Sequence, residues 1–226
     1  LILGLALPIA IFIGLFSKVL LPSFSAPALV PENAFNVMTF NILWSNQNYA
    51  AIAAAIQSAN ADVVGLEEVR LPHVPALTAA LTDYPYSTFH QSDEYHTVGL
   101  VSRFPILSTT QLSNPPMERG LQAVIDINGN LLSVVVAHLA PNNMPLFPPQ
   151  TFVQQTQERY SRRASEVQEI IQTIHNRTHP TVMLCDCNMT DTSQTYAQLK
   201  TMLTDSFQAA GWGLGHTLSV SPVPFA

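Results

Sequence analysis

The chain has 226 residues, of which 47% are hydrophobic and only 11% are charged, and its formal net charge is −6. This length suits one domain, and much of the apolar excess lies at the N-terminus. The nine lysines and arginines are spread along the chain, so it lacks the basic patch of a tight duplex-DNA binder, which counts against a nucleic-acid substrate without excluding it.

The N-terminal stretch is apolar on every side. Leu1–Phe16 contains no charged residue, and the apolar character resumes after Lys18. We therefore predict a transmembrane segment over residues 1–21. Because the sequence starts at Leu1 and not at a methionine, we expect this segment to be the end of a longer membrane region. A cleaved signal peptide is the alternative interpretation, and a buried core helix fits least because the segment has no polar face.

A linker and one folded domain follow. Residues 22–34 are rich in Pro, Ser and Ala and predict a linker. We place the domain at residues 35–226, and its first part alternates strand, helix and strand. The Asn128-Gly-Asn130 turn predicts a hairpin, so the middle of the domain should be antiparallel. The predicted strands are 36–43, 62–66, 97–102, 106–112, 121–127, 131–137 and one starting at Thr181; the predicted helices are 49–57, 72–81, 156–175 and 196–203.

Isolated polar residues stand at the ends of four predicted strands. They are Asn41, Glu68, His138 and the pair Asp186 and Asn188. A lone Asp-x-Asn after a strand is usually a turn, but four such strand ends on one face would gather these side chains around one point. Carboxylate and amide oxygens there suit a hydrated cation or a phosphate. The sequence therefore predicts a site at this edge.

These residues lie in four of five short motifs that resemble the endonuclease/exonuclease/phosphatase superfamily, the fold of deoxyribonuclease I. The resemblance covers roughly residues 36–218. It implies a four-layer α-β-β-α sandwich of two mainly antiparallel sheets, an expectation that the predicted element order shares. The motifs are Thr39-Phe-Asn-Ile42, Leu66-Glu-Glu-Val69, Gly99-Leu-Val-Ser-Arg-Phe-Pro-Ile106, His138-Leu-Ala-Pro141 and Cys185-Asp-Cys-Asn188.

Two features depart from the family pattern. The closing Arg-x-Asp-Tyr and Ser-Asp-His elements are missing before Ala226, so we expect the domain to be C-terminally incomplete, and no residue after Asn188 replaces the missing His. Cysteines stand at positions 185 and 187, where the family has Gly and Phe. With one residue between them on a strand they do not favour a disulfide, and Cys187 is expected to pack as a small hydrophobe.

The residues suggest roles in hydrolysing a phosphate ester. Glu68 is the predicted ligand of Mg²⁺, which Mn²⁺ can replace, because we expect its neighbours to leave it nothing else to pair with. The one basic residue close by is Arg70, which shares its strand face only if Val69 does not end the strand. Glu67 should face the other side and be structural. Asn41 would fix the metal shell or bind phosphate, and Arg119 is a candidate phosphate contact.

The remaining site residues act on the substrate in this interpretation. His138 would donate a hydrogen bond or proton to a phosphate oxygen, Asp186 would orient the nucleophilic water, and Asn188 would donate to a phosphoryl oxygen. We assign no catalytic role to His73 or to the charged residues of helix 156–175, which are most simply a solvated face.

The favoured function is a membrane-anchored, Mg²⁺-dependent phosphatase or phosphodiesterase acting on a lipid-linked or small phosphorylated substrate. The order of membrane segment and domain in this chain is similar to that of bacterial members of the family that act on lipid pyrophosphates. We expect the catalytic domain on the extracytoplasmic side. Two alternatives stay open. One is an endonuclease or exonuclease acting on nucleic acid, and the other is a catalytically inactive binding domain of the same fold.

Overall fold

A computed structural model describes residues 6–14, 34–90, 97–112, 119–141, 151–213, 215 and 217. Residues Asn33–Met202 form one compact unit, and it contains all the described strands. The predicted linker, apart from its last residue, and residues 142–150 lie outside the described residues.

The described part of the N-terminal segment is helical and exposed over residues 6–14. Among the residues that the structure describes, no helix has both the length and the apolar composition that a bilayer crossing requires.

The unit contains eight strands and four helices among its described residues. The strands are β1 (Val37–Asn41), β2 (Val63–Val69), β3 (Tyr86–Phe89), β4 (Thr97–Ser102), β5 (Ile106–Gln111), β6 (Gly120–Ile127), β7 (Asn130–His138) and β8 (Thr181–Asp186). The helices are α1 (Tyr49–Ala59), α2 (His73–Ala80), α3 (Phe152–His175) and α4 (Gln194–Leu199). A further helix, α5 (Ser206–Ala210), follows outside this unit.

The strands form two four-stranded sheets. The first has the order β1-β2-β4-β3 and the second β5-β6-β7-β8. In each sheet one pair of strands is parallel, β1 with β2 and β7 with β8, and the other pairs are antiparallel. The prediction of two mainly antiparallel sheets is therefore confirmed. The predicted hairpin is also confirmed: Asn128 and Gly129, both with positive φ, connect β6 and β7.

The two sheets pack face to face over an apolar core. Strands β2 and β4 contribute Val63, Val98 and Leu100, which contact a cluster of aliphatic side chains from β6, β7 and β8. Gly65 of β2 lies so close to β8 that an added Cβ would stand 2.8 Å from Leu184 Cβ. The missing side chain therefore permits the close approach of β2 and β8, the strands that carry Glu68 and Asp186.

Helices cover the outer faces of both sheets. Ile52 and Ile56 of α1 and Leu77 of α2 pack against Val64 and Leu66, which point to the outer side of β2. On the other sheet the outward positions of β7 are buried as well. Helix α3 supplies a buried stripe and is hydrogen-bonded to the chain just beyond β7. The order of layers is thus helix, sheet, sheet, helix, as predicted.

The ends of some elements differ from the predictions for local reasons. Helix α4 begins at Gln194 and not at 196, because the Ser193 hydroxyl accepts a hydrogen bond from Tyr196 N at 3.2 Å and caps the helix. The short helix α5 was not predicted; it is capped in the same way by Asp205, whose Oδ1 accepts from Gln208 N at 2.8 Å.

Candidate active site

The parallel strand pairs bring the predicted polar residues to one edge of the sandwich. In the first sheet Asn41 pairs in register with Glu67, the neighbour of Glu68. In the second sheet His138 pairs with Asp186. Both strands of a parallel pair end on the same side, so each pair brings two of the polar strand ends together. Packing of one sheet on the other then brings the two pairs to the same edge.

A β-bulge turns Glu68 into the site. The pairing of β2 with β4 shifts between Glu67 and Val69, and Glu68 has a φ of 60°. In a regular strand Glu68 would share the outer face of Val64 and Leu66. The bulge instead directs its carboxylate toward Asn41, in keeping with the tendency of bulges to re-aim side chains next to active sites.

Asn41 joins the two carboxylates. Its Nδ2 donates to Glu68 Oε1 at 3.0 Å and to Asp186 Oδ2 at 2.8 Å. The orientation of the amide is fixed, because Oδ1 accepts from Leu43 N at 2.9 Å. Asn41 thus presents donors to the site. Its predicted role as a metal ligand through oxygen stays a prediction, and this conformation favours contact with an anion.

His138 faces both carboxylates from the interior. Its Nε2 lies 3.9 Å from Glu68 Oε1 and 3.9 Å from Asp186 Oδ2. Its Nδ1 lies 3.4 Å from a guanidinium nitrogen of Arg119, a group that can only donate hydrogen bonds. In neutral His138 the proton is therefore on Nε2 and points into the site. This contact also brings the predicted residue Arg119 to the site.

Asn188 lies beside Asp186 but is turned toward the protein. Its main-chain N donates to Asp186 Oδ1 at 3.3 Å, and its side-chain Nδ2 donates to Leu139 O at 3.0 Å. It has a φ of 48°, a conformation that Asn adopts more readily than most residues. These bonds tie the end of β8 to the end of β7, and donation to a phosphoryl oxygen stays a prediction.

The three acidic and basic side chains of the cluster differ in their access to water. The exposed fraction of the side chain is 32% for Asp186, 15% for Glu68 and 3% for His138. Asp186 is therefore the group that an incoming water molecule reaches most easily.

Glu67 is a buried acid next to the site. Its carboxylate accepts a hydrogen bond from Thr39 Oγ1 at 2.7 Å. Burial, and to a smaller extent the nearby charge of Asp186, raises the pKa of Glu67 to about 8, although the hydrogen bond from Thr39 lowers it. Glu67 is thus mostly protonated at neutral pH, and it adds little charge to the site.

The expectation that Glu68 has no partner in the protein is wrong. Besides Asn41, the main-chain N of Trp44 donates to Glu68 Oε2 at 2.9 Å. Arg70, the basic residue considered as a partner, instead holds its guanidinium 5.7 Å above the ring of Trp44. The loop after β1 therefore fixes the position of the Glu68 carboxylate.

Helix α3 braces the chain that follows His138, which corrects the interpretation of its charges as a solvated face. Arg163 and Glu166 are buried. Arg163 Nε donates to Ala140 O at 3.0 Å, and Glu166 Oε2 accepts from Ala140 N at 2.7 Å. Burial raises the pKa of Glu166 and lowers that of Arg163. Both side chains thus hold the main chain two residues beyond His138.

His73, which the sequence interpretation set aside, connects two loops at the site. The buried ring accepts from Arg70 N through Nδ1 at 3.0 Å, and Nε2 lies 2.8 Å from Asn46 O. It thereby links the turn after Glu68 to the loop that carries Trp44. Its position at the start of α2, five residues after Glu68, was the only sequence signal.

Cys185 and Cys187 form a disulfide on either side of Asp186, so the prediction that they do not pair is wrong. The Cα atoms are 5.2 Å apart, whereas two residues of extended strand span roughly 6.7 Å. Strand β8 ends at Asp186, and the turn that follows brings the cysteines within the usual range of a disulfide.

The carboxylate oxygens of Glu68 and Asp186 are hard donors, of the type that hard divalent cations take. Within the described residues no group of three or more His, Cys, Asp or Glu side chains is arranged to hold a metal ion. Mg²⁺ keeps several waters and takes one or two carboxylates from the protein. Glu68 and Asp186 are two carboxylates held to one amide nitrogen.

Several solved structures have the same fold. Humanised D. rerio TDP2 with 14 mutations matches with a TM-score of 0.57 and 16% identity, over 73% of this chain and 70% of that chain. D. rerio TDP2 complexed with a single strand DNA product has a TM-score of 0.56 and 15% identity, over 74% and 64%. A Staphylococcus aureus beta toxin mutant with bound magnesium ions has a TM-score of 0.58 and 17% identity, over 76% and 71%.

At these identities the likeness to solved structures is one of fold. Comparison with curated protein sequences gives no match. The family model described as the endonuclease/exonuclease/phosphatase family matches residues 38–223, which include both sheets and every residue of the site. The chain therefore belongs to the endonuclease/exonuclease/phosphatase family.

Proposed function

We propose that the chain is a divalent-metal-dependent hydrolase of phosphate esters. The observation that carries this proposal is the amide of Asn41, which joins Glu68 to Asp186 while His138 faces both carboxylates. Membership of the family supports it, as does the bound magnesium in the beta toxin structure of the same fold.

Glu68 and Asp186 would hold the cation, Mg²⁺ or Mn²⁺. When bound, such a cation neutralises charge on the phosphoryl oxygens and makes a bound water more acidic. Two carboxylates that share one donor repel each other, and this repulsion favours binding of a cation between them.

The side chains of the protein supply the remaining functions. His138 donates its Nε2 proton to a phosphoryl oxygen, and Arg119 holds the imidazole in the tautomer that can do so. Asp186, the most exposed of the three groups, accepts a hydrogen bond from the attacking water and orients it. Asn41 and Asn188 provide amide donors near the substrate.

We further propose a lipid-linked or small phosphorylated substrate and a membrane-anchored protein, with residues 1–21 as the anchor and the domain on the extracytoplasmic side. The uncharged Leu1–Phe16 stretch supports the anchor. The Cys185–Cys187 disulfide supports an oxidising compartment. Protease added to spheroplasts should digest the domain, whereas protection until the membrane is lysed would contradict this orientation.

Activity should depend on the metal and on Glu68. Release of phosphate from a lipid pyrophosphate, and of nitrophenol from bis-(p-nitrophenyl) phosphate, would be measured for the wild type, Glu68→Gln and Glu67→Gln across a magnesium titration. We expect a chelator to abolish both reactions and Glu68→Gln to lower kcat/KM by orders of magnitude. Glu67→Gln should be far milder, because Glu67 is already mostly neutral. Chelator-resistant hydrolysis, or equal losses in the two variants, would contradict the assignment.

A nuclease is the second candidate function. The TDP2 structure that contains a single strand DNA product has this fold, which supports the candidate, whereas the net charge of −6 argues against a polyanionic strand. Cleavage of a labelled single-stranded oligonucleotide, faster than that of the lipid pyrophosphate, would favour the nuclease. Failure of the wild type on every substrate with Mg²⁺ or Mn²⁺ would indicate the inactive binding domain.

A further inference from the structure

A pocket of about 140 Å³ is lined by Trp44, whose main-chain N donates to Glu68. It is similar in size to an engineered cavity of about 150 Å³ that holds a benzene ring, so it can admit one small chemical group. The loop after β1 and the turn after β2 form its walls. Its lining includes Trp44, Asn46, Gln47, Tyr49, Arg70 and His73.

The pocket is attached to the catalytic cluster through the main chain. Trp44 contributes its ring to the pocket and its N–H to Glu68 Oε2 at 2.9 Å. Arg70 follows Glu68 by two residues, directly after β2 ends at Val69. A substrate whose phosphate lies at Glu68 therefore has this pocket as its neighbouring space.

The two walls are held at a fixed distance by His73. The buried imidazole accepts from Arg70 N and bonds to Asn46 O through its other nitrogen. Because Nδ1 is an acceptor, the proton of the neutral ring is on Nε2. The ring of Tyr49 packs edge-on against it, with centroids 5.4 Å apart. The pocket is thus formed before a ligand arrives.

The charge of the pocket is positive. Arg70 is exposed, and its guanidinium is stacked over the half-exposed ring of Trp44 at 5.7 Å. Among the residues that the structure describes, no carboxylate pairs with Arg70 and none lines the pocket. Arg103 differs: it also stacks on an aromatic ring, that of Tyr84, but its NH1 is paired with Asp62 Oδ1 at 3.0 Å.

We propose that this pocket is a subsite for a second phosphoryl group of the substrate, bound by Arg70 while the first phosphate occupies the catalytic cluster. A guanidinium oriented by an aromatic ring presents paired donors that match phosphate oxygens. The inference rests on the proposed function, because it places the reacting phosphate at Glu68. The second group can come from a diphosphate ester or from the adjoining phosphate of a nucleotide chain.

The test compares matched substrates that differ by one phosphoryl group. The full chain would be assayed with an isoprenyl monophosphate and the corresponding diphosphate, and with a dinucleotide with and without a 5′-phosphate. The variants are Arg70→Gln and Arg70→Lys, with Arg177→Gln as the charge-matched control. Arg177 is exposed and precedes the start of β8, at the opposite end of that strand from Asp186.

We expect the wild type to prefer the substrate with two phosphoryl groups in at least one of the two pairs. In Arg70→Gln the ratio of kcat/KM between the members of that pair should fall about 10- to 100-fold, mostly through KM, as expected for lost hydrogen bonds to a charged group. Arg70→Lys should be intermediate, and Arg177→Gln should keep the ratio. The pair that responds identifies the source of the second group. An unchanged ratio in Arg70→Gln would overturn the proposal.

Binding of inorganic pyrophosphate and inorganic phosphate, measured by calorimetry, separates the subsite from the activity. If the wild type hydrolyses none of the esters, the proposed function fails, but the subsite still predicts tighter binding of pyrophosphate than of phosphate. Arg70→Gln should remove that difference and Arg177→Gln should not. Equal binding of the two anions by the wild type would contradict the subsite.

Discussion

Two groups of polar and charged side chains lie around the ends of β7 and β8, and they differ in how their charges are balanced. The strand-end cluster consists of Asn41, Glu68, His138 and Asp186. The helix brace consists of Arg162, Arg163 and Glu166 around the main chain of Ala140. In the brace each carboxylate oxygen of Glu166 has its own donor, Ala140 N at 2.7 Å and Arg162 Nε at 3.1 Å. In the strand-end cluster two carboxylates share one amide nitrogen.

Burial alone does not account for this difference. Arg163 and Glu166 are 1% and 2% exposed, so they are more buried than either carboxylate of the strand-end cluster. Their charges oppose each other and their polar atoms bond to the main chain, as expected for groups that hold a segment in place. The strand-end cluster keeps excess negative charge within reach of water, as expected for a catalytic site.

The largest effect should come from removing one charge of the strand-end cluster. Asp186→Asn keeps an oxygen that can accept from Asn41 but loses the group that orients water. We expect kcat to fall about 10²- to 10⁴-fold, and the free energy of unfolding to stay constant or rise because a repulsive charge is removed. Steady-state kinetics and urea denaturation of the same samples check this. A loss of stability that matched the loss of activity would assign Asp186 to the fold.

The opposite result is expected for the helix brace. Arg163→Met retains an apolar chain of similar length but leaves Ala140 O without this donor and removes a positive charge beside Glu166. We expect the free energy of unfolding to fall by about 3 kcal/mol, the upper end of the usual cost of leaving a buried polar group without its partner. Urea denaturation measures it, with exposed Arg177→Met as the control. A loss under about 1 kcal/mol would show that the brace contributes little.

The sequence predicted the strand-end cluster because its signals are local. Alternation and a Gly-containing turn identify β1, β2 and the hairpin, and parallel pairs place strand ends together. The bulge at Glu68 was not predictable, because a glutamate gives no sign of a positive φ. Alternation alone would have left its carboxylate on the outer face, so the prediction that Glu68 faces the other polar strand ends rested on its motif.

The helix brace was missed because its residues are charged. Arg163 and Glu166 lie on the same face of α3 as Val167 and Ile170. In an amphipathic pattern, however, charged residues are expected on the solvent-exposed face. Only the partner in space, the main chain of Ala140, reveals its burial. The role of His73 was also not predictable, because its two hydrogen-bond partners come from different loops and meet only in the folded chain.

A second comparison concerns Glu67 and Glu68, adjacent acids of which one is buried and the other faces the site. The pKa of Glu67 is raised to about 8 by burial first, and by the charge of Asp186. The folded state therefore keeps a proton that the unfolded state loses above the usual pKa of about 4.3. The free energy of unfolding should thus fall as pH rises from about 4.5 to 8.

Glu67→Gln should remove this dependence, since the amide oxygen can still accept from Thr39. Between pH 5 and pH 8 the wild type should lose about 3 to 4 kcal/mol relative to Glu67→Gln. Urea denaturation at several pH values gives the difference, with exposed Glu158→Gln as the control for a lost charge. Parallel stability curves for the wild type and Glu67→Gln would contradict a buried, protonated Glu67.

The smallest expected effect concerns the disulfide that flanks Asp186. The loop closed by Cys185 and Cys187 has a sequence separation of only 2, so the bond restricts few conformations of the unfolded chain. For three residues the chain-entropy model gives about 1.6 kcal/mol at 25 °C. Treatment with a dithiol should therefore lower the free energy of unfolding by about that amount. Cys185→Ala combined with Cys187→Ala should show no response to the dithiol, which makes it the control.

Because Asp186 is also held by Asn41 and Asn188, the turnover rate of the reduced wild type should stay within about 3-fold of the oxidised value. A loss of turnover by an order of magnitude or more, without greater unfolding, would mean that the disulfide itself positions the carboxylate.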